Sequence, residues 1–196
     1  MIISENELNS QNLLEFEELL KEYIKLKPSR FIEIGSLYGW TLQHFIHYGE
    51  YNSTALSIDL PVRRFVGPRD WRVEKQESNY KNKWPLWAKE KNCKLHLIPD
   101  SSQNIKTLEK TQSIFNNEKI DFLFIDGDHS YNGVRLDFEM YSPLVRTGGI
   151  VAFHDIGKNE EGGCSRFWEE IKNTKNGFKE ILLDEKHEKG IGVLYV

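Results

Sequence analysis

Two cysteines in 196 residues, Cys93 and Cys164, are too few and too far apart for a disulfide framework or a thiolate zinc site. No C-x-x-C pair occurs, so the composition suits a reducing compartment and a cytoplasmic location is expected. No apolar run approaches the roughly 18 residues of a membrane span. The Met-Ile-Ile-Ser-Glu-Asn-Glu start has none of the basic character of a signal peptide. Internal repeats and low-complexity tracts are absent, which argues against a repeat architecture. The chain is short enough for one domain and long enough to bury a core without staples. A net charge of −4 gives no general attraction to nucleic acid, but the charge is uneven. Residues 61–94 hold ten Lys and Arg against four acids, which leaves the rest of the chain at −10. Such a stretch is either solvated surface or a patch for an anionic ligand.

What is present is alternation. Ser10 to Leu26 reads as an amphipathic helix ended by Pro28. Arg30 to Gly35 is a first strand, Leu37 to Tyr48 a helix, Ser53 to Asp59 a second strand and Lys94 to Asp100 a third, nearer the sheet edge. Ser102 to Phe115 is a helix. Asp121-Phe-Leu-Phe-Ile-Asp126 is a strand, Tyr131 to Leu144 a helix, and Gly149-Ile-Val-Ala-Phe-His154 a strand beside it. Ser165 to Thr174 is a short helix. Phe178 to Asp184 and Gly190 to Val196 close the chain as two strands, which the short connection between them makes antiparallel. Seven strands alternating with helices predict an α/β fold with one doubly wound, mostly parallel sheet. Residues 60–92 depart from this pattern and read as an insert or lid with little periodicity. Residues 1–28 form a helical N-terminal segment of the same single domain.

Ligands of such sheets sit beyond the carboxyl ends of the strands, so the strand-end residues are the candidates. Glu33-Ile-Gly35-Ser-Leu-Tyr-Gly39 follows the first strand and opens a helix. Gly35 permits a tight turn and Gly39 a close helix–strand approach. Leu37 stands where a dinucleotide fingerprint has its middle glycine, so a pyrophosphate would be crowded. This disfavours an NAD-linked oxidoreductase. Asp59 ends the second strand, where a carboxylate can accept from ribose hydroxyls. Asp100 and Ser101 end the third, where an acid could accept from an adenine amine. Asp126, His154 and Asp155 end neighbouring strands and could converge on a divalent cation.

These features resemble the class I S-adenosylmethionine-dependent methyltransferases, from about Ser29 to Val196. The resemblance implies cofactor contacts at Glu33, Gly35, Ser36, Gly39, Thr41, Asp59, Asp100, Ser101 and Asp126, with Thr41 at the methionine carboxylate. Asp126 with His154 and Asp155 is similar to the metal site of the metal-dependent O-methyltransferases, of catechol and bacterial sugar or secondary-metabolite type. In those the cation, usually magnesium, binds the acceptor hydroxyl, and a base stands three residues beyond the first ligand. That position is His129, a side chain whose ordinary pKa suits proton transfer near neutrality. His154 departs from the usual carboxylate. Hard magnesium prefers oxygen, whereas imidazole favours manganese, iron or zinc.

The reaction implied is methyl transfer to a hydroxyl of a small, sugar-containing or anionic acceptor. The stretch 60–92 concentrates Phe65, Trp71, Tyr80, Trp84 and Trp87 among its cations, as suits a cap over such an acceptor. The same mixture serves single-stranded nucleic acid, so an RNA-binding protein or RNA methyltransferase is the alternative. The acidic remainder argues against a large nucleic-acid footprint. No membrane partner is expected, and a homo-oligomer is compatible with the sequence.

Overall fold

Strands that read as continuous apolar runs need cover on both faces. The computed structural model, which describes residues 12–66, 70–157, 163–174, 177–183 and 189–196, provides it. In chain order the elements are α1 (Leu13–Leu26), β1 (Arg30–Ile34), α2 (Trp40–Tyr48), β2 (Thr54–Ile58), α3 (Trp71–Ser78), α4 (Trp84–Glu90) and β3 (Lys94–Ile98). There follow α5 (Ile105–Ile114), β4 (Ile120–Ile125), α6 (Tyr131–Tyr141), β5 (Val145–His154), α7 (Cys164–Ile171), β6 (Phe178–Ile181) and β7 (Ile191–Tyr195). The predicted helix start at Ser10 and strand end at Asp184 lie outside the described residues, as do 67–69 of the basic stretch.

All seven strands join one sheet in the order β3-β2-β1-β4-β5-β7-β6. Among the described strands β7 alone runs opposite to the other six, pairing antiparallel with both β5 and β6. Successive side chains of a strand point to opposite faces, so each strand feeds two cores. Phe31, Phe122 and Phe124 pack with Phe16, Tyr23, Phe45 and Trp84 on one face. Ile32, Leu123, Ile125 and Phe153 pack with Val134, Phe167 and Trp168 on the other. Every residue of β4 is buried, as befits a central strand, while β3 at the edge is only partly covered. At the amino end of the sheet, Asp121 accepts hydrogen bonds from the N–H groups of Ser29 (2.8 Å) and Arg30 (2.9 Å) and from Arg146 Nε (2.6 Å), tying β1, β4 and β5 together.

Most of the described residues between 60 and 92 are helical, although the sequence there shows little periodicity. β2 and β3 are parallel neighbours, and such a pair requires a crossover. The crossover is broken into a 3₁₀ turn at Val62–Arg64, α3, a π-helical turn at Asn79–Lys83, and α4, so no single helical period runs through it. Asp70 caps α3 by accepting from the Arg72 N–H at 2.9 Å. Much of its positive charge is neutralised locally: Arg63 and Lys81 meet Glu77, Arg72 meets Asp70, and Arg64 meets Asp100. No helix among the described residues is long and apolar enough to cross a membrane.

Candidate functional site

The strand order reverses between β1 and β4, and ligand crevices form at such switch points. Gly35 follows β1 and Asp126 follows β4, and their backbones are pressed together. A Cβ on Gly35, which has φ +89°, would lie 2.0 Å from the Asp126 carbonyl oxygen. Gly39, at φ +84°, is needed for a different neighbour than expected. Its Cβ would lie 2.3 Å from Trp84 Nε1 in the crossover. The crossover is also hydrogen-bonded to the glycine turn, since Asn79 Nδ2 (2.9 Å) and Trp84 Nε1 (3.3 Å) donate to the Tyr38 carbonyl. It therefore forms one wall of the crevice.

Two cavities meet at the switch point. The larger, about 720 Å³, is bordered by Gly35, Asp59, Asp100, Ser101, Asp126 and His129, together with Phe65 and Gln103. The smaller, about 340 Å³, is bordered by Gly35, Ser36, Thr41, Asp126 and His129, together with Lys75, Lys83 and Trp87. Asp126 and His129 border both. Seven of the nine residues expected to contact a cofactor thus line one cavity or the other, and Glu33 and Gly39 lie behind them.

Glu33 is fully buried on β1. It accepts hydrogen bonds from Ser36 Oγ (2.6 Å) and from the Thr41 hydroxyl, and Ser36 in turn accepts from Ser57 Oγ at 2.8 Å. Burial pushes its carboxyl up to about 8, against the two hydroxyl donors. Asp59 accepts from the Leu37 N–H at 2.6 Å, which holds Leu37 in a left-handed conformation, φ 47°. Burial raises its carboxyl to about 6, with the Leu37, Leu60 and Tyr80 donors opposing. Asp100 is turned partly outward, accepting from the Ser101 N–H and facing Arg64 at 3.5 Å.

Adjacency of β4 and β5 brings the polar cluster together. His129 Nδ1 is 3.1 Å from Asp155 Oδ2, and its Nε2 is 3.4 Å from Asp126 Oδ1. His154 Nδ1 is 3.0 Å from Asp155 Oδ1 and 3.4 Å from Asp126 Oδ1. Burial alone would raise the Asp126 carboxyl, but His154 and His129 outweigh it and hold it below the usual range. Burial likewise opposes charge on His154, and Asp126 with Asp155 overcomes it and pushes the imidazole up to about 10. The hydrogen bond to Asp126 is the main reason that His129 is raised as well. Asp155 adopts φ 58°, a costly conformation for a residue with a side chain and one that clusters at functional sites.

The three groups Asp126, His154 and Asp155 can each offer a donor atom, all within 4.8 Å of one another. His154 is 3% exposed, and its Nδ1 makes no aligned hydrogen bond despite the nearby carboxylates. A buried nitrogen left in that state fits a cation ligand.

Sequence reasoning gave no individual role to the cavity residues Trp40 and Gln43 of α2 or Lys75, Asn79 and Lys83 of the crossover. The spacing of Lys75, Asn79 and Lys83, four residues apart, was the available signal. Of the aromatic residues singled out there, Trp84 is core, Tyr80 faces Asp59, and Phe65 and Trp87 border the cavities.

Residues 32–156 match the model of a methyltransferase-domain family. An uncharacterized protein of Sinorhizobium fredii is 22% identical over 87% of this chain, and one of Acanthamoeba polyphaga mimivirus is 28% identical over 57%. The chain spans 17% and 50% of the length of these two curated relatives. Among solved structures, an O-methyltransferase from Bacillus cereus in complex with SAH superposes with TM-score 0.61 at 16% identity, over 97% of this chain and 86% of that one. A TDP-rhamnose 3'-O-methyltransferase of calicheamicin biosynthesis, in its apo form, gives TM-score 0.60 at 16% identity over 97% and 87%. The likeness to these solved structures is one of fold, and the family match covers more than half of the chain, so this protein belongs to the methyltransferase-domain family.

Proposed function

We propose that this chain moves the methyl group of S-adenosylmethionine to a hydroxyl of a small, sugar-containing or anionic acceptor. The observation that carries the reading is the position of His129. It stands between the Asp126 and Asp155 carboxylates, at the junction of two cavities that share the glycine turn. The likeness to a TDP-rhamnose O-methyltransferase supports a sugar acceptor.

In this reading the larger cavity receives the nucleoside, with Asp59 at the ribose and Asp100 and Ser101 at the adenine. Glu33 is a positioning residue, fixing the hydroxyls of Ser36 and Thr41 beneath the turn. Asp126, His154 and Asp155 would hold a divalent cation, and their mixed nitrogen and oxygen donors suit manganese, iron or zinc better than magnesium. When bound, such a cation lowers the pKa of an acceptor hydroxyl and orients it. His129 takes the hydroxyl proton on a ring nitrogen. The acceptor oxygen forms its bond to the methyl carbon as the carbon–sulfur bond breaks, and S-adenosylhomocysteine leaves. Positioning across the switch point and removal of the proton supply the acceleration.

Calorimetry with S-adenosylhomocysteine tests the donor assignment. Binding is expected; its absence, with NADH bound instead, would overturn it.

A further inference from the structure

The smaller cavity is bordered by two lysines to which the reading above assigns no role. Lys75 and Lys83 lie on its crossover wall, and Asp126 lies at its other side, next to Gly35. Lys75 Nζ stands 4.3 Å from the centre of the Tyr38 ring and makes no ion pair among the described residues. Asn79, midway between the two lysines, fixes this face of the crossover to the turn through its 2.9 Å hydrogen bond to the Tyr38 carbonyl. The π-helical turn at Asn79–Lys83 follows directly, and such turns recur at functional sites.

We propose that Lys75 and Lys83 bind the α-carboxylate of the methyl donor, so that the β2–β3 crossover is part of the donor site. This rests on the donor reading above. A donor whose nucleoside lies by Asp59 and Asp100 must cross Gly35 to bring its sulfur to Asp126 and His129. Its continuation beyond sulfur enters the smaller cavity, along Ser36 and Thr41. An amino-acid tail carries one positive and one negative charge, and this cavity offers an acid on one side and two ammonium groups on the other. The Thr41 hydroxyl, expected at the carboxylate, donates instead to Glu33, so the lysines are the side chains with charge to offer.

The test compares two ligands by calorimetry: S-adenosylhomocysteine and 5'-methylthioadenosine, which keeps the nucleoside and sulfur but lacks the amino-acid tail. Lys75→Gln and Lys83→Gln should each weaken S-adenosylhomocysteine about tenfold, the equivalent of about 1.4 kcal/mol, and leave methylthioadenosine within twofold. Lys75→Arg and Lys83→Arg should restore most of the affinity. Equal losses for both ligands, no loss for either, or a change confined to the KM of the acceptor would overturn the proposal. Failure of the unsubstituted protein to bind either ligand would instead remove the donor reading on which it rests.

Discussion

Replacing Glu33 with Gln should make the protein more stable at alkaline pH, by an amount the structure sets. The Glu33 carboxyl is raised by burial from 4.5 to about 8. Between those values the native state holds a proton that the unfolded chain has lost, so stability falls as pH rises through this window. Each pH unit costs about 1.4 kcal/mol, and the whole window about 5 kcal/mol. Gln keeps the shape and one acceptor oxygen for Ser36 or Thr41 but has no proton to lose. Urea unfolding followed by tryptophan fluorescence, at intervals from pH 5 to pH 9, would give both stability curves. Asp59 and His154 also titrate abnormally, but they do so in both proteins and cancel in the difference. Glu33→Gln should match the parent near pH 5 and exceed it by several kcal/mol at pH 9. It should also retain S-adenosylhomocysteine affinity at pH 6, where Glu33 is already protonated. Parallel curves across the range would refute the buried-carboxyl account.

Gly39→Ala puts a Cβ against Trp84 at positive φ, costing about 1 kcal/mol for the backbone and about 1–3 for repacking. Calorimetry should show melting lowered by about 5–15 °C. His129→Ala should cut kcat by about 10²–10⁴ while cation binding, read by calorimetry, persists. His154→Ala should reverse that order, with weakened cation binding as the primary defect. Activity should be lost in EDTA and return more fully with manganese than with magnesium, given the imidazole donor; turnover undiminished by EDTA counts against any cation.

The strands and their order of alternation were legible because a sheet covered on both faces writes itself as apolar runs, as in Phe122-Leu-Phe-Ile125. Asp126, His154 and Asp155 were recognisable for the same reason, as polar residues placed where such runs stop. Gly39 was identified for the right property but assigned the wrong neighbour. Its contact is with Trp84, 45 residues away, and no local pattern reports that. The periodicity of the crossover was hard to read because its helices are short and interrupted, and among its described residues only Val62, Val73, Gln76, Asn79, Trp84 and Ala88 are buried.

From sequence alone came the fold class, the glycine turn and the groups able to do chemistry, since burial period and strand ends are properties of neighbouring residues. Only the tertiary structure decided which groups act together. His129 lies between two carboxylates because β4 and β5 are adjacent, and Lys75 and Lys83 border the same cavity as His129 because the crossover docks on the glycine turn. Both facts depend on contacts between segments far apart in the chain, which no local pattern encodes.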